Sequence, residues 1–197
     1  KGTASINGNL GRLGFIISGN YRDANDYTAP AGTFGNIRLT EDVKVKDTGV
    51  NDGGVNLRFS YFLSTQSRFS FKYEYYHAEN AGFGFIEPEL YDPGSARIQI
   101  RYPLQKVNKY SFKYEHRQLG FALADYIDFS GYHLSNKREF AMDIFVPFNI
   151  PRLPNAGVKI QSDNYSDVNT LGFRLELNKA VKNHTLTYGL DFFRDLS

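Results

Sequence analysis

The sequence predicts an all-β fold: an antiparallel, up-and-down segment of a transmembrane β-barrel with about eight strands, ten being the alternative. Three observations lead there. Segments of strand length repeat a period-two alternation, one side aromatic and aliphatic, the other carrying Arg, Lys and Glu between small residues. Short polar links alternate with long ones punctuated by Gly and Pro. Phe and Tyr are abundant, 17 and 14 of them, although the mean hydropathy is negative. That combination fits strands with one greasy and one wet face.

Taken in order, KGTASING supplies a fragmentary first strand. GRLGFIISGNYR then sets Leu13, Phe15, Ile17 and Tyr21 against Arg12, Gly14, Ser18, Asn20 and Arg22, spoiled only by Ile16. VNLRFSYFL sets Val55, Leu57, Phe59, Tyr61 and Leu63 against Asn56, Arg58 and Ser60; a short polar turn, STQS, follows. RFSFKYEYY gives Phe69, Phe71, Tyr73 and Tyr75 against Arg68, Ser70, Lys72 and Glu74. KYSFKYEHR gives Tyr110, Phe112 and Tyr114 against Ser111, Lys113, Glu115 and Arg117. In LADYIDFSGYHLS, Ile127 and Phe129 oppose Asp128 and Ser130. TLGFRLEL sets Leu171, Phe173, Leu175 and Leu177 against Thr170, Gly172, Arg174 and Glu176, and HTLTYGLDFF sets Leu186, Tyr188, Leu190 and Phe192 against Thr185, Thr187, Gly189 and Asp191.

Two regions are ambiguous and are read mainly as loop. ARIQIRY alternates but lies within a long connection, and AMDIFVPFNIPRLPNAGVKIQ holds three prolines, which central strands disfavour. The long connections are therefore expected from Asp23 to Gly54 and from His77 to Asn108. Mid-strand charges opposite an almost purely apolar face suit a lumen on one side and acyl chains on the other. A membrane-spanning strand needs about 9 to 11 residues and alternates in this way. Tight periplasmic turns and long extracellular loops belong to the same architecture.

Several classes are excluded or left without support. No apolar run reaches the roughly 18 residues of a membrane-spanning helix. The net charge of +2 comes from interspersed residues, so no nucleic-acid stripe is present. Cysteine is absent, which removes disulfides and Cys ligands. His77, His116, His133 and His184 fall in separate segments without zinc spacing. Gly8, Gly11 and Gly14 in GNLGRLG do not match a phosphate-binding loop, and SDNYSD does not match an EF-hand. No Ser/His/Asp arrangement can be assigned. The expectation is a protein that is not an enzyme and carries no cofactor.

NTLGFRLELNKAVKNHTLTYGLDFFRDLS resembles a strand, turn and strand from the first half of TonB-dependent outer-membrane receptors, and GRLGFIISGNYRDANDY is similar to an early barrel strand of that family. The resemblance spans about Gly11 to Asp195 and rests on alternation rather than on invariant signatures. It implies a 22-stranded barrel in the bacterial outer membrane, filled by an N-terminal plug and coupled to the TonB protein. Such receptors import scarce nutrients, here most plausibly a ferric siderophore or haem. The ends, KGTASING without an initiator Met and RDLS directly after a strand, read as those of an excerpt. Residues 1–197 are then part of the receptor barrel, with plug and later strands absent. The partners expected are outer-membrane lipid, the receptor's own plug, TonB through that plug, and the transported ligand.

Candidate ligand-binding residues on the inner face or in the loops are Arg22, Arg58, Lys72, Lys113, Arg117 and Arg174. His77 and His133 are candidates for holding haem or an iron-bearing ligand from the outer loops. The competing reading is that the charges pair across neighbouring strands, Lys72 with Glu74 or Arg174 with residues such as Glu115, and leave little net field. Two other functions remain open at this point: a complete small outer-membrane barrel with a structural or adhesive role, since about eight strands suffice to close one, and a soluble lipocalin-like barrel with its aromatics turned inward.

Overall fold

The computed structural model describes residues 1–35, 37–91, 95–148 and 156–196. Its frame is one antiparallel sheet of eight strands: β1 (Gly2–Leu10), β2 (Leu13–Ala24), β7 (Val50–Phe62), β8 (Ser67–Gly82), β9 (Arg97–Arg117), β10 (Tyr126–Pro147), β11 (Gly157–Val181) and β12 (His184–Leu196). Each pairs with the next long strand in sequence. Four short strands lie in the β2–β7 connection: β3 (Thr28–Ala29), β4 (Gly32–Phe34), β5 (Ile37–Leu39) and β6 (Val43–Lys44). The only helical element among the described residues is a 3-10 turn, Pro88–Leu90, and no described helix is long and apolar enough to cross a membrane. β1 and β12 do not pair, so the sheet is open.

Connections alternate in length. At one end of the sheet, β1–β2 and β11–β12 turn through Gly11–Arg12 and Lys182–Asn183, with left-handed φ at Gly11 and Lys182. Residues 63–66 and 118–125 close the other two links at that end. The opposite end carries residues 25–49, 83–96 and 148–156.

Register carries the alternation across the whole sheet. Phe15, Phe59, Phe71, Phe112, Gly131, Phe173 and Phe192 form one row, and Leu13, Tyr61, Phe69, Tyr114, Phe129, Leu175 and Leu190 form the row beside it. Cross-strand rings meet within and between these rows: Phe173 and Phe192 stack at 5.1 Å in one row, and Phe112 meets Phe129 of the next row diagonally at 5.6 Å. Such pairs stabilise the sheet by about 0.2–1 kcal/mol each. At Gly131 the ring of Phe112 occupies the place where a Cβ would sit, 2.6 Å from ring carbons, so a larger residue there would push the ring off the sheet. No second layer covers these rows, and Leu190 and Phe192 are 52% and 45% exposed.

The two regions expected to be mainly loop are strand instead. Arg97–Tyr102 opens β9, Ala141–Pro147 ends β10, and Gly157–Gln161 opens β11; Asn149 to Asn155 of the second region lie outside the described residues. The prolines misled for identifiable reasons. Pro147 ends its strand, and Pro103 sits where the β9–β10 register shifts by one residue, the kind of bulge that accepts a residue without an N–H. Asn80, with φ 57, is the β8 position skipped opposite Pro103. The long connections are accordingly 25–49 and 83–96 rather than 23–54 and 77–108, and residues 92–94 of the second lie outside the described residues.

The bulge changes which side is apolar. Below it, the aromatic face of β9 holds Tyr110, Phe112 and Tyr114. Above it, Ile98, Ile100 and Tyr102 share the opposite face with Met142, Ile144 and Phe140, and Tyr102 meets Phe140 at 5.5 Å. The outer side of that upper region carries an Arg101–Asp143 ion pair of 2.8 Å. Between the two, the aromatic face has already turned polar in the row Lys106, Lys137 and Asp167.

The two long connections knit into a cap. Lys46 and Phe85 exchange both backbone hydrogen bonds at 2.8 Å, and Lys46 Nζ donates to Glu87 at 2.9 Å. Leu39, Val43, Val45 and Phe85 are buried here, a small closed core. Gln99 of β9 donates to Asp47, and Arg97 reaches Glu87 and Glu89, tying the cap to the upper sheet.

Candidate functional site

The charged face is concave. A hollow of about 670 Å³ opens on it, and the side chains that line it from this face include Arg58, Lys72, Lys109, Lys113, Arg174 and Tyr132. Alternation puts these residues on one wall because each lies an even number of positions from its strand's other charged-face residues. Four of the candidates, Arg58, Lys72, Lys113 and Arg174, are thus brought together.

Most of their charge is matched. Lys113 donates to Asp128 at 2.8 Å and lies 3.3 Å from Glu115, which also pairs with Arg68. Arg174 contacts Glu176 at 2.9 Å and Asp191 at 3.8 Å, and not Glu115. Lys72 contacts Glu74 at 2.7 Å. Arg22 makes a two-pronged contact with the buried Asp52, 2.7 and 3.2 Å, which also accepts from Tyr76. The charges are thus matched partly across neighbouring strands, as with Arg68–Glu115 and Lys113–Asp128, and partly along one strand, as with Lys72–Glu74 and Arg174–Glu176. Arg58 is different: it stands directly opposite Lys72 in the register, and among the described residues no carboxylate lies within 4.0 Å of it.

The remaining candidates lie elsewhere. Arg117 is at the short-turn end, opposite Tyr126. His77 belongs to β8 rather than to a loop, His133 lies in β10, and both sit on the aromatic face, His77 against Tyr75 and Glu79, His133 against Tyr110. They do not line the hollow and lie on the opposite face from the basic group. Among the described residues no group of three or more His, Asp or Glu is placed to hold a metal ion.

Sequence reasoning missed Lys109, Tyr132 and Phe193. Lys109 has the parity of Ser111 and Lys113, so the alternation already assigned it to this face, but the preceding residues had been read as loop. Tyr132 and Phe193 are aromatics on the charged side, which a rule sorting aromatics outward misplaces. Both flank Gly172, whose Cβ would lie 2.4 Å from the Tyr132 ring.

Outside the hollow, half-buried carboxylates serve as local ties. At the short-turn end, a hydrogen bond from Lys179 and another from the Ala180 N–H hold Asp125 below the ordinary carboxylate range. In the cap, the Gly49 and Thr48 amides do the same for Asp26, with Lys44 nearby.

No protein-family model matches this sequence, and no curated protein matches it either.

Proposed function

We propose that the chain is wall from a TonB-dependent receptor barrel in the bacterial outer membrane, taking part in uptake of a ferric siderophore or haem. The observation that carries the membrane reading is the change of sidedness. Rows of exposed aromatics on the convex face give way, along the same strands, to a polar row and then to apolar residues on the inner face above the bulge. A sheet bathed in water on both sides has no reason to change; one that leaves a bilayer has. The stretch Val55 to Leu63, nine residues, has the length of a membrane-spanning strand, and Tyr73, Tyr75 and Tyr110 stand toward its Val55 end.

The openness of the sheet favours a larger barrel over a complete eight-stranded one, and concavity on the charged side argues against a lipocalin with its aromatics inside. The long connections at one end and the charged hollow behind them suit capture and passage of a ligand. Transport, TonB coupling and the choice of ligand rest on the resemblance of the strands.

The absence of cysteine makes a direct test simple. Single cysteines at Phe112, Phe173 and Leu190 should react with a lipid-soluble maleimide and resist a water-soluble one in intact outer membranes. A cysteine at Lys137 should react with both. Equal reaction with the water-soluble reagent at all four would end the membrane reading. For transport, cells lacking the protein should lose energy-dependent uptake of at least one ferric chelate or of haem; undiminished uptake of all of them would end the receptor reading while leaving the barrel.

A further inference from the structure

Once the ion pairs of the hollow are subtracted, one corner retains uncompensated positive charge. Arg58, Lys72 and Lys109 share the single carboxylate of Glu74: Lys72 bonds it, Lys109 faces it in the register, and Arg58 faces Lys72. Like charges directly opposite on adjacent strands destabilise a sheet. The lower rows do not have this imbalance, since Arg68, Lys113 and Arg174 meet Glu115, Asp128, Glu176 and Asp191.

The corner has further parts of a binding site. Ser111 lies in the row between Lys72 and Tyr132, and the hydroxyls of Ser60 and Ser70 bond each other at 3.1 Å one row below. Lys109 Nζ sits 5.4 Å from the Tyr132 ring centroid, so a cation and a ring face meet there. Across Gly172 stands Phe193, 72% exposed and projecting on the charged side of the edge strand. The hollow's volume of about 670 Å³ lies within the range of about 300–1,000 Å³ for small-molecule sites.

We infer that Arg58, Lys72 and Lys109 form an oxyanion site, with Ser111 as donor and the Tyr132 and Phe193 rings as an apolar flank, for a small molecule bearing carboxylate or phosphate oxygens beside a flat ring. The inference rests on the transport reading and deepens it by placing a recognition site on the charged face of the wall at these residues. Each cation can donate charge-assisted hydrogen bonds to such oxygens, and the concave wall concentrates the field of the unmatched pair. Lys113 and Arg174, held by carboxylates, contribute shape rather than affinity.

The full chain in detergent is titrated with phthalate, an aromatic dicarboxylate, with neutral phthalamide and ring-free succinate as controls. Phthalate should bind more tightly than either, and raising the salt from about 20 to 200 mM should weaken it. Arg58→Gln and Lys109→Gln should each weaken phthalate binding about tenfold, the loss expected for one charge-assisted contact, while Lys113→Gln should change it by less than about threefold. Arg58→Gln removes a like-charge contact, so its unfolding in denaturant should be no easier than that of the parent chain. Phthalate affinity unmoved by Arg58→Gln and Lys109→Gln, or phthalamide binding as well as phthalate, overturns the site. Because the labelling test is read separately, a correctly oriented chain that ignores phthalate sinks this inference alone.

Discussion

The wall and the cap use the same large apolar residues in opposite ways. In the wall, Phe173 and Phe192 stack on one another yet remain 38% and 45% exposed, whereas in the cap Leu39 and Phe85 are 3% and 6% exposed. The cap obeys the rule for chains in water, where apolar side chains close on themselves. The wall obeys the opposite rule, with paired charges gathered on its concave side and hydrocarbon left outward. On the membrane reading proposed above, the difference between the two marks a change of solvent along the molecule, with the Asn80–Pro103 bulge on the watery side of the change.

The sharpest way to break this comparison is to damage each region separately. Phe85→Ala removes the largest side chain of the cap core and should cost about 3–5 kcal/mol of local stability. The measurement is hydrogen exchange at the Lys46 amide, which bonds the Phe85 carbonyl; its protection should disappear while cysteine labelling in the wall stays unchanged. Loss of the labelling pattern as well would mean that cap and wall fold as one unit.

In the wall, Phe112→Arg places a charge in the middle of the aromatic rows and should cost about 2–4 kcal/mol in a folding titration in lipid. Thr187→Arg, on the charged side opposite Asn178, should cost much less. Equal penalties would show that the faces are reversed or that neither meets lipid.

How far the sequence disclosed this arrangement depends on how local the signal was. The wall was legible because period-two alternation is a property of each strand alone: Phe69 to Tyr75 and Leu171 to Leu177 declare their faces without reference to any partner. The upper strands were not, because Pro103 and Pro147 look like breakers until a bulge and a strand end are known, and both depend on neighbours. The candidate site was half legible. Parity placed Arg58, Lys72, Lys113 and Arg174 on one wall, but which of them keep their charge unmatched depends on rotamers and register across strands distant in sequence, as with Arg174 and Asp191. His77 and His133 lie apart from the basic group for a simpler reason. Residue chemistry was weighed for them without parity, and parity puts both on the aromatic face.

The bulge can be probed at Asn80, whose φ of 57 is tolerated by Asn and disfavoured for a branched side chain. Asn80→Val should cost about 1–2 kcal/mol, and Asn80→Gly should cost nothing or stabilise slightly. Thermal unfolding of the two variants reads this out. If Val is accepted as readily as Gly, the left-handed turn at Asn80 does not exist in the folded protein, and the change of sidedness needs another cause.

The smallest expected effect sharpens the comparison through pH. Asp26 Oδ1 accepts hydrogen bonds from the Gly49 amide at 2.8 Å and the Thr48 amide at 3.0 Å, and Lys44 lies 3.5 Å from Oδ2. The Gly49 bond foremost, helped by Thr48 and Lys44, holds this carboxyl below its ordinary value against the opposing cost of burial. Gly49 itself is required, because a Cβ there would lie 2.8 Å from the Ala24 carbonyl. A carboxyl whose folded pKa is depressed stabilises the folded state above its unfolded pKa, about 3.9, and the stabilisation fades as pH falls through the lower folded value. The tie that holds residues 25–49 should therefore be intact from neutral pH down to about 4 and loosen only below it. NMR shifts of the Thr48 and Gly49 amides should titrate together with a midpoint below the ordinary carboxylate range. In Asp26→Asn, which keeps the acceptor oxygen but loses the proton equilibrium, that step should vanish. Titration of both amides at or above about pH 4 would mean that Asp26 does not bear on them, and that the cap's order comes from its apolar core alone.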